Sequence, residues 1–232
     1  MKLRLPVTAL LIAIAFASCQ KDFTIETVPG TGSGIGSGAS NGCKDCIYYP
    51  ICSGSVYKYS DTSAGSTAAT PFSYTLTYVK DSAIEGKTYK KFTGAGQQNS
   101  FFNCTAGVST VIILNGSTQG GILLPYVKIT TLKENAAVST AWTDTITASG
   151  QSSLYTYTIV SKGTPRTVVG VTYADVIHVH EQTTTDFMGT VIPTGQSEYY
   201  FAKGIGLIES ISIDDFSGTQ ILHHVLVSAT IP

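Results

Sequence analysis

From residue 43 onward, apolar and polar residues alternate with a period of two, the pattern of strands with one buried face. "FSYTLTY" sets Phe72, Tyr74, Leu76 and Tyr78 against Ser73, Thr75 and Thr77. "SLYTYTIV" places Tyr155, Tyr157 and Ile159 on one face. "YADVIHVHEQT" puts Val176, His178, His180 and Gln182 on one side, with Ile177 and Val179 on the other. Further strands are predicted at "TYKKF", "SFFNCTA", "STVIIL", "ILLPYVKIT", "AWTDTIT", "RTVVGVTY", "EYYFA", "LIESISI" and "ILHHVLVSAT". The separators include "EGK", "KENAA", "SKGTP", "IPTGQS", "KGIG" and "DDFSGTQ", rich in the residues that make turns. Only Lys133 to Ala141 leaves room for a short helical turn. Short strands with regular turns predict an all-β, mainly antiparallel fold: a strongly curved sheet or half-open barrel. No period of 20 to 50 residues repeats, which argues against a solenoid or propeller.

The first 42 residues follow different rules. Lys2 and Arg4 precede an apolar run, Leu5 to Ala17, that falls short of the roughly 20 residues needed to span a bilayer. A basic start, a short apolar core and small residues before a boundary describe a secretory signal. That boundary, "FASC", resembles the lipobox of bacterial lipoproteins, with Phe16 where leucine is usual. The resemblance implies cleavage after Ser18 and acylation of Cys19, hence attachment to a membrane through N-terminal acyl chains. "QKDF" after it resembles the Lys-acidic export signals of surface lipoproteins in some Gram-negative bacteria. Val28 to Gly42 ("VPGTGSGIGSGASNG") has the composition of a flexible tether. The expected organisation is a signal peptide at 1–18, a lipidated tether at 19–42 and one β-rich domain at 43–232.

Composition narrows the function. Charged residues make up 12% of the chain against about 25% in an average soluble protein, and Thr, Ser, Gly and Tyr take their place. A net charge of −1 with no basic cluster gives nucleic acid nothing to grip. Beyond Cys19, four cysteines remain, and an even number in an oxidising compartment predicts two disulfides with three possible pairings. Cys43, Cys46 and Cys52 crowd one segment while Cys104 lies far away, so at least one bridge is expected to tie that segment to the Cys104 strand. The other reading of Cys43 and Cys46 is a metal or redox CxxC pair, though no helical period follows it.

"EYYFAKGIGLIES" (Glu198 to Ser210) joins an aromatic strand, a Gly-x-Gly bend and an apolar strand ending in Glu. This arrangement resembles uncharacterised bacterial lipoproteins, some of them similar to the LolA/LolB lipoprotein carriers. The resemblance spans about residues 170–230 and implies a bent antiparallel sheet around an apolar cavity. Independently of family, Gly204 and Gly206 allow the positive φ or close backbone approach that a sharp bend requires.

The histidines are the candidate chemistry. His178 and His180 share a face, and His223 and His224 point opposite ways. If the two strands are neighbours, His224 completes a three-imidazole set for Zn²⁺ or Cu²⁺, with Glu181 and Asp186 as supporting carboxylates. The competing reading is a half-exposed sheet face that happens to carry histidines. The G-x-S-x-G spelled by "GASNG" (Gly38 to Gly42) falls in the Gly/Ser tether with no strand or helix pattern beside it to make a nucleophile elbow, H-E-x-x-H and G-x-G-x-x-G are absent, and nothing calls for a cofactor. Asp214 and Asp215 are adjacent, so on a strand they face apart, and they open a turn instead. Trp142 reads as core or as a sugar platform, and the tyrosines as a carbohydrate or lipid surface or simply as strand formers. "DSA" (Asp81 to Ala83) and "DTI" (Asp144 to Ile146) resemble an O-glycosylation acceptor of some Gram-negative bacteria. The expected function is non-enzymatic binding of a lipid or other hydrophobic or amphipathic ligand in a bent sheet. The alternatives are an interaction module with a filled core and a histidine-based metal protein.

Overall fold

The computed structural model describes residues 45–63, 72–94, 97–114, 126–148 and 151–232, and contains no helix among them. Twelve strands form there. The first six are β1 (Val56–Ser63), β2 (Phe72–Ile84), β3 (Lys87–Gly94), β4 (Gln97–Thr105), β5 (Val108–Leu114) and β6 (Tyr126–Lys133). The rest are β7 (Ala141–Ala148), β8 (Gln151–Val168), β9 (Val171–Phe187), β10 (Thr190–Ala202), β11 (Gly206–Asp214) and β12 (Thr219–Thr230). All pairings are antiparallel, and the order β6-β5-β4-β3-β2-β1-β12-β11-β10-β9-β8-β7 is two meanders joined through β1 and β12. Four hairpins turn on two residues, both at positive φ and the second always glycine: Glu85-Gly86, Ala106-Gly107, Val169-Gly170 and Met188-Gly189. Such turns match the twist of the strands they join.

The sheet curls into a nearly closed barrel whose free edges are β6 and β7. Side chains bridge that seam. The Trp142 indole N–H donates to the Thr130 carbonyl at 2.8 Å, and the Thr130 N–H donates to Asp144 Oδ2 at 2.6 Å. Two groups of the exposed edge are thereby satisfied without a ladder, which blunts an edge open to wrong pairing.

Three boundaries differ from the sequence reading. "SKGTP" lies inside β8, where bulges between Ile159 and Arg166 bend the strand while its pairing with β9 continues. "IPTGQS" lies inside β10 with a bulge between Pro193 and Gly195. "RTVVGVTY" is a hairpin tip and not one strand, because Val169 and Gly170 both take the left-handed conformation. In addition, β1 forms from "VYKYSDTS", where only Tyr57 and Tyr59 supply large apolar surface to the core.

One face of the sheet packs a core dominated by rings, including Tyr57, Tyr59, Phe92, Phe102, Tyr157 and Phe201. A smaller cluster of Ile84, Tyr89, Phe101 and Ile112 occupies the opposite face of β2 to β5. One end of the barrel is plugged by the strap from Asp45 to Ser55. Gly107 and Gly204 donate their N–H groups to the carbonyls of Asp45 and Ile47, at 2.9 and 2.7 Å. The Tyr48 N–H donates to Glu134 Oε2 at 2.9 Å, and its hydroxyl to Asp175 Oδ1 at 2.7 Å. These partners come from three separate turns and from β9, so the strap crosses the whole opening. Tyr49 drives into the core, edge-on to Phe102 and Phe201 at 5.7 and 5.6 Å between centroids. The Cys46–Cys104 disulfide fastens the strap to β4, and Cys52 is disulfide-bonded as well.

A bridge closing a loop of 58 residues removes chain entropy worth about 4 kcal/mol. The double variant Cys46→Ala/Cys104→Ala is expected to lose about 2–5 kcal/mol in guanidinium unfolding. Gly206 has φ 114°, and a Cβ there would sit 3.1 Å from Tyr49 Cδ2. Gly206→Ala should therefore destabilise by about 1–3 kcal/mol, read as a lowered denaturation midpoint with an unchanged slope.

Candidate functional site

The end of the barrel opposite the strap holds a cavity of about 480 Å³. Its walls come from the distal parts of β7 to β12. Alternation on β8, β9 and β10 sends Tyr155, Thr183 and Ser197 inward at this level, above Tyr157, Glu181 and Tyr199. The hydroxyls are linked across strands. Thr185 Oγ1 lies 2.9 Å from Ser153 Oγ and 3.3 Å from Thr194 Oγ1, and Ser197 Oγ lies 3.0 Å from Ser212 Oγ. Deeper in, aromatic and aliphatic side chains pack together, and a void among Tyr49, Ile129, Tyr157, Tyr199 and Phe201 measures about 50 Å³. The interior is therefore apolar and packed at depth, and hydroxyl-lined where it is open.

Glu181 stands between these zones, 5% exposed. Its carboxylate accepts from the Tyr199 hydroxyl at 3.0 Å and from Thr183 Oγ1 at 3.2 Å. Burial pushes the Glu181 carboxyl above the usual range, and the donated hydrogen bonds offset this only in part. The sequence reading made Glu181 a supporting partner for the histidines, but it is in phase with Ile177 and Val179 and faces the core. That phase was the available signal for an interior carboxylate. Burial, followed by the charge of Glu181, also raises the Tyr155 phenol, which stays a proton donor at neutral pH.

The histidines divide between two faces. His178 and His180 lie on the outer face of β9, where both ring systems meet the Glu198 carboxylate, His180 Nδ1 at 2.8 Å and His178 Nε2 at 2.5 Å. His224 lies inside the barrel on β12, paired with Asp61 and stacked on Tyr59 at 4.2 Å. The three-imidazole set is thus corrected: β10 and β11 separate the two strands, and the side chains point to opposite faces. Among the described residues no group of three or more His, Cys, Asp or Glu side chains could hold a metal ion.

Around the outer pair the structure builds a network that the sequence did not suggest. Tyr200 stacks on His178 at 4.4 Å, and the Arg166 guanidinium lies 3.8 Å from the Tyr200 ring centroid. Arg166 pairs with Glu209, whose other oxygen meets His223 Nε2 at 2.8 Å. The bulges of β8 bring Arg166 back across the sheet to reach these partners.

The remaining candidates have structural roles. Asp214 Oδ1 accepts from the N–H groups of Phe216 and Ser217, and Asp215 Oδ2 accepts from Gln182. Asp186 accepts from the Gly189 N–H in its turn. Trp142 is 6% exposed and stacks on Tyr157, so it belongs to the core and the seam. Ser82 is fully buried, which removes "DSA" as an accessible acceptor in the folded chain, whereas Thr145 of "DTI" is exposed. Cys46 joins Cys104 across the strap, while Cys19 and Cys43 lie outside the described residues.

No protein-family model and no curated protein matches the chain. Two solved structures are similar to it. One is a candidate lipoprotein from Parabacteroides distasonis, with a TM-score of 0.48 and 12% identity, covering 80% of this chain and 100% of that one. The other is a candidate exported protein with a YmcC-like fold from Bacteroides fragilis, with a TM-score of 0.44 and 9% identity, covering 80% of this chain and 99% of that one.

The two carboxylates give opposite pH signatures. Burial alone would raise Glu198, but the hydrogen bonds and charges of His178 and His180 outweigh it and hold the carboxyl below its ordinary value. Its contribution to stability is therefore present above the unfolded pKa and lost as pH falls through the folded one. Glu181 is raised, so its contribution is present below the unfolded pKa and lost as pH rises through the folded one. In chemical denaturation across pH, Glu198→Gln should flatten the acid limb of stability. Glu181→Gln should remove a loss on the neutral side. Identical pH dependence in both variants and wild type would contradict these assignments.

Proposed function

We propose that the chain is a non-enzymatic binding protein of the Gram-negative cell envelope, anchored through Cys19, that holds an amphipathic ligand in the open end of its barrel. The observation carrying this reading is the cavity of about 480 Å³ opposite the plugged end. Its size falls within the roughly 300–1,000 Å³ of ligand pockets, and it combines apolar side chains with convergent polar groups. The first described residue, Asp45, lies in the strap, at the end of the barrel opposite the cavity. "FASC" and the tether composition support the anchor. A role like that of the LolA/LolB carriers would use the same open end, but the rings filling the lower barrel favour a small ligand over a long acyl chain.

The filled lower barrel also supports the second reading, an interaction module that encloses only its own side chains. Native mass spectrometry of the protein released from its own envelope separates the two. A co-purified small molecule, displaced when Tyr155→Trp narrows the cavity, is the expected result. A bare polypeptide-plus-lipid mass in wild type, with no uptake in later titrations, would overturn the binding reading.

A further inference from the structure

We infer that the ligand of the open cavity is a neutral, polyhydroxylated molecule of the carbohydrate class, an inference that rests on the binding reading above. The chemistry of the walls carries it. Among the described lining residues Asp214 alone is ionisable in the physiological range, and one of its oxygens already serves the turn at Phe216 and Ser217. Among the described residues no lysine, arginine or histidine lines the cavity, so these walls offer a phosphate or carboxylate ligand no counter-charge. A dehydrated anion in such a site is strongly disfavoured.

The walls instead present hydroxyls. Each carries one proton and two lone pairs, and each rotates to suit its partner. The Ser197–Ser212 pair spends one proton on its mutual bond, leaving one donor and several acceptor sites. Thr183 donates its proton to Glu181, which turns its lone pairs toward the cavity as acceptors. Glu181 thereby fixes the polarity of one wall from behind. A surface offering mixed donors and acceptors at close spacing matches a ligand whose own groups are hydroxyls.

An acyl chain fits less well. Methylenes laid over Thr183, Thr185, Thr194 and Ser197 would strip water from the lone pairs that these hydroxyls do not use among themselves and give no hydrogen bond in return. A sugar ring has an apolar face besides its polar edge, and Tyr155, Ile213 and Ile221 offer apolar surface within the same cavity.

The test is methyl NMR on the full chain labelled at isoleucine and threonine, because Ile146, Ile213, Ile221 and Thr183 report directly from the walls. The protein is titrated with a panel of neutral mono- to tetrasaccharides and, separately, with dodecanoate. Saturable shifts of these methyls with at least one saccharide are expected. Thr194→Val and Ser153→Ala should each weaken that binding tenfold or more, while leaving the denaturation midpoint near wild type. Two variants on different strands guard against one that misfolds. Shifts with dodecanoate and none with any saccharide would overturn the carbohydrate class and leave the binding reading standing. No shift with either would overturn both.

Discussion

A barrel of this width needs a floor, and here the floor is made by Tyr49 on a short strap held at three turns and by a disulfide. Without the strap, the rings of Phe102 and Phe201 and the bend at Gly206 would face solvent at an open tube. With it, the tube becomes a cup. Burial raises the pKa of the strap's Tyr49 phenol and of Tyr57 below it, the latter to about 12, so both remain neutral core residues. The cup's depth and the position of its cavity follow from that closure.

Above the floor, the interior changes character in layers. Packed aromatic rings give way to a buried carboxylate held by a phenol and a threonine, and then to cross-strand hydroxyl pairs at the mouth. A buried, unneutralised Glu181 costs stability at neutral pH, and two donated hydrogen bonds reduce that cost without removing it. Such a group is tolerated where it organises its neighbours, and here it holds the Thr183 hydroxyl at the cavity wall and the Tyr199 phenol beneath it. The outer network of His178, Glu198, Tyr200, Arg166 and Glu209 is a different device. It ties the bent β8–β9 hairpin to β10 and β11 through stacking and ion pairs at the sheet surface.

Much of this was legible in the chain. "FSYTLTY" and "SLYTYTIV" became β2 and β8 because alternation leaves only one face to bury. The Gly-x-Gly bend became the β10–β11 turn because residues 204 and 206 take φ values open mainly to glycine. Boundaries failed where bulges absorb what composition marks as a turn. "SKGTP" and "IPTGQS" each contain Gly and Pro, yet long-range pairing with β9 carries both through as strand. Local residues cannot report that pairing.

The sequence by itself determined strand phase, and with it the class of fold and the side of the sheet on which each residue sits. It therefore already placed His178 and Ile177 on opposite faces. Strand order was decided only in three dimensions, because antiparallel neighbours are chosen by closure and twist over the whole sheet. That order put two strands between His180 and His224 and denied the expected imidazole cluster. It also set Thr183, Ser197 and Ser212 side by side around a cavity, since hydroxyls far apart in the chain meet only when β9, β10 and β11 pair in register.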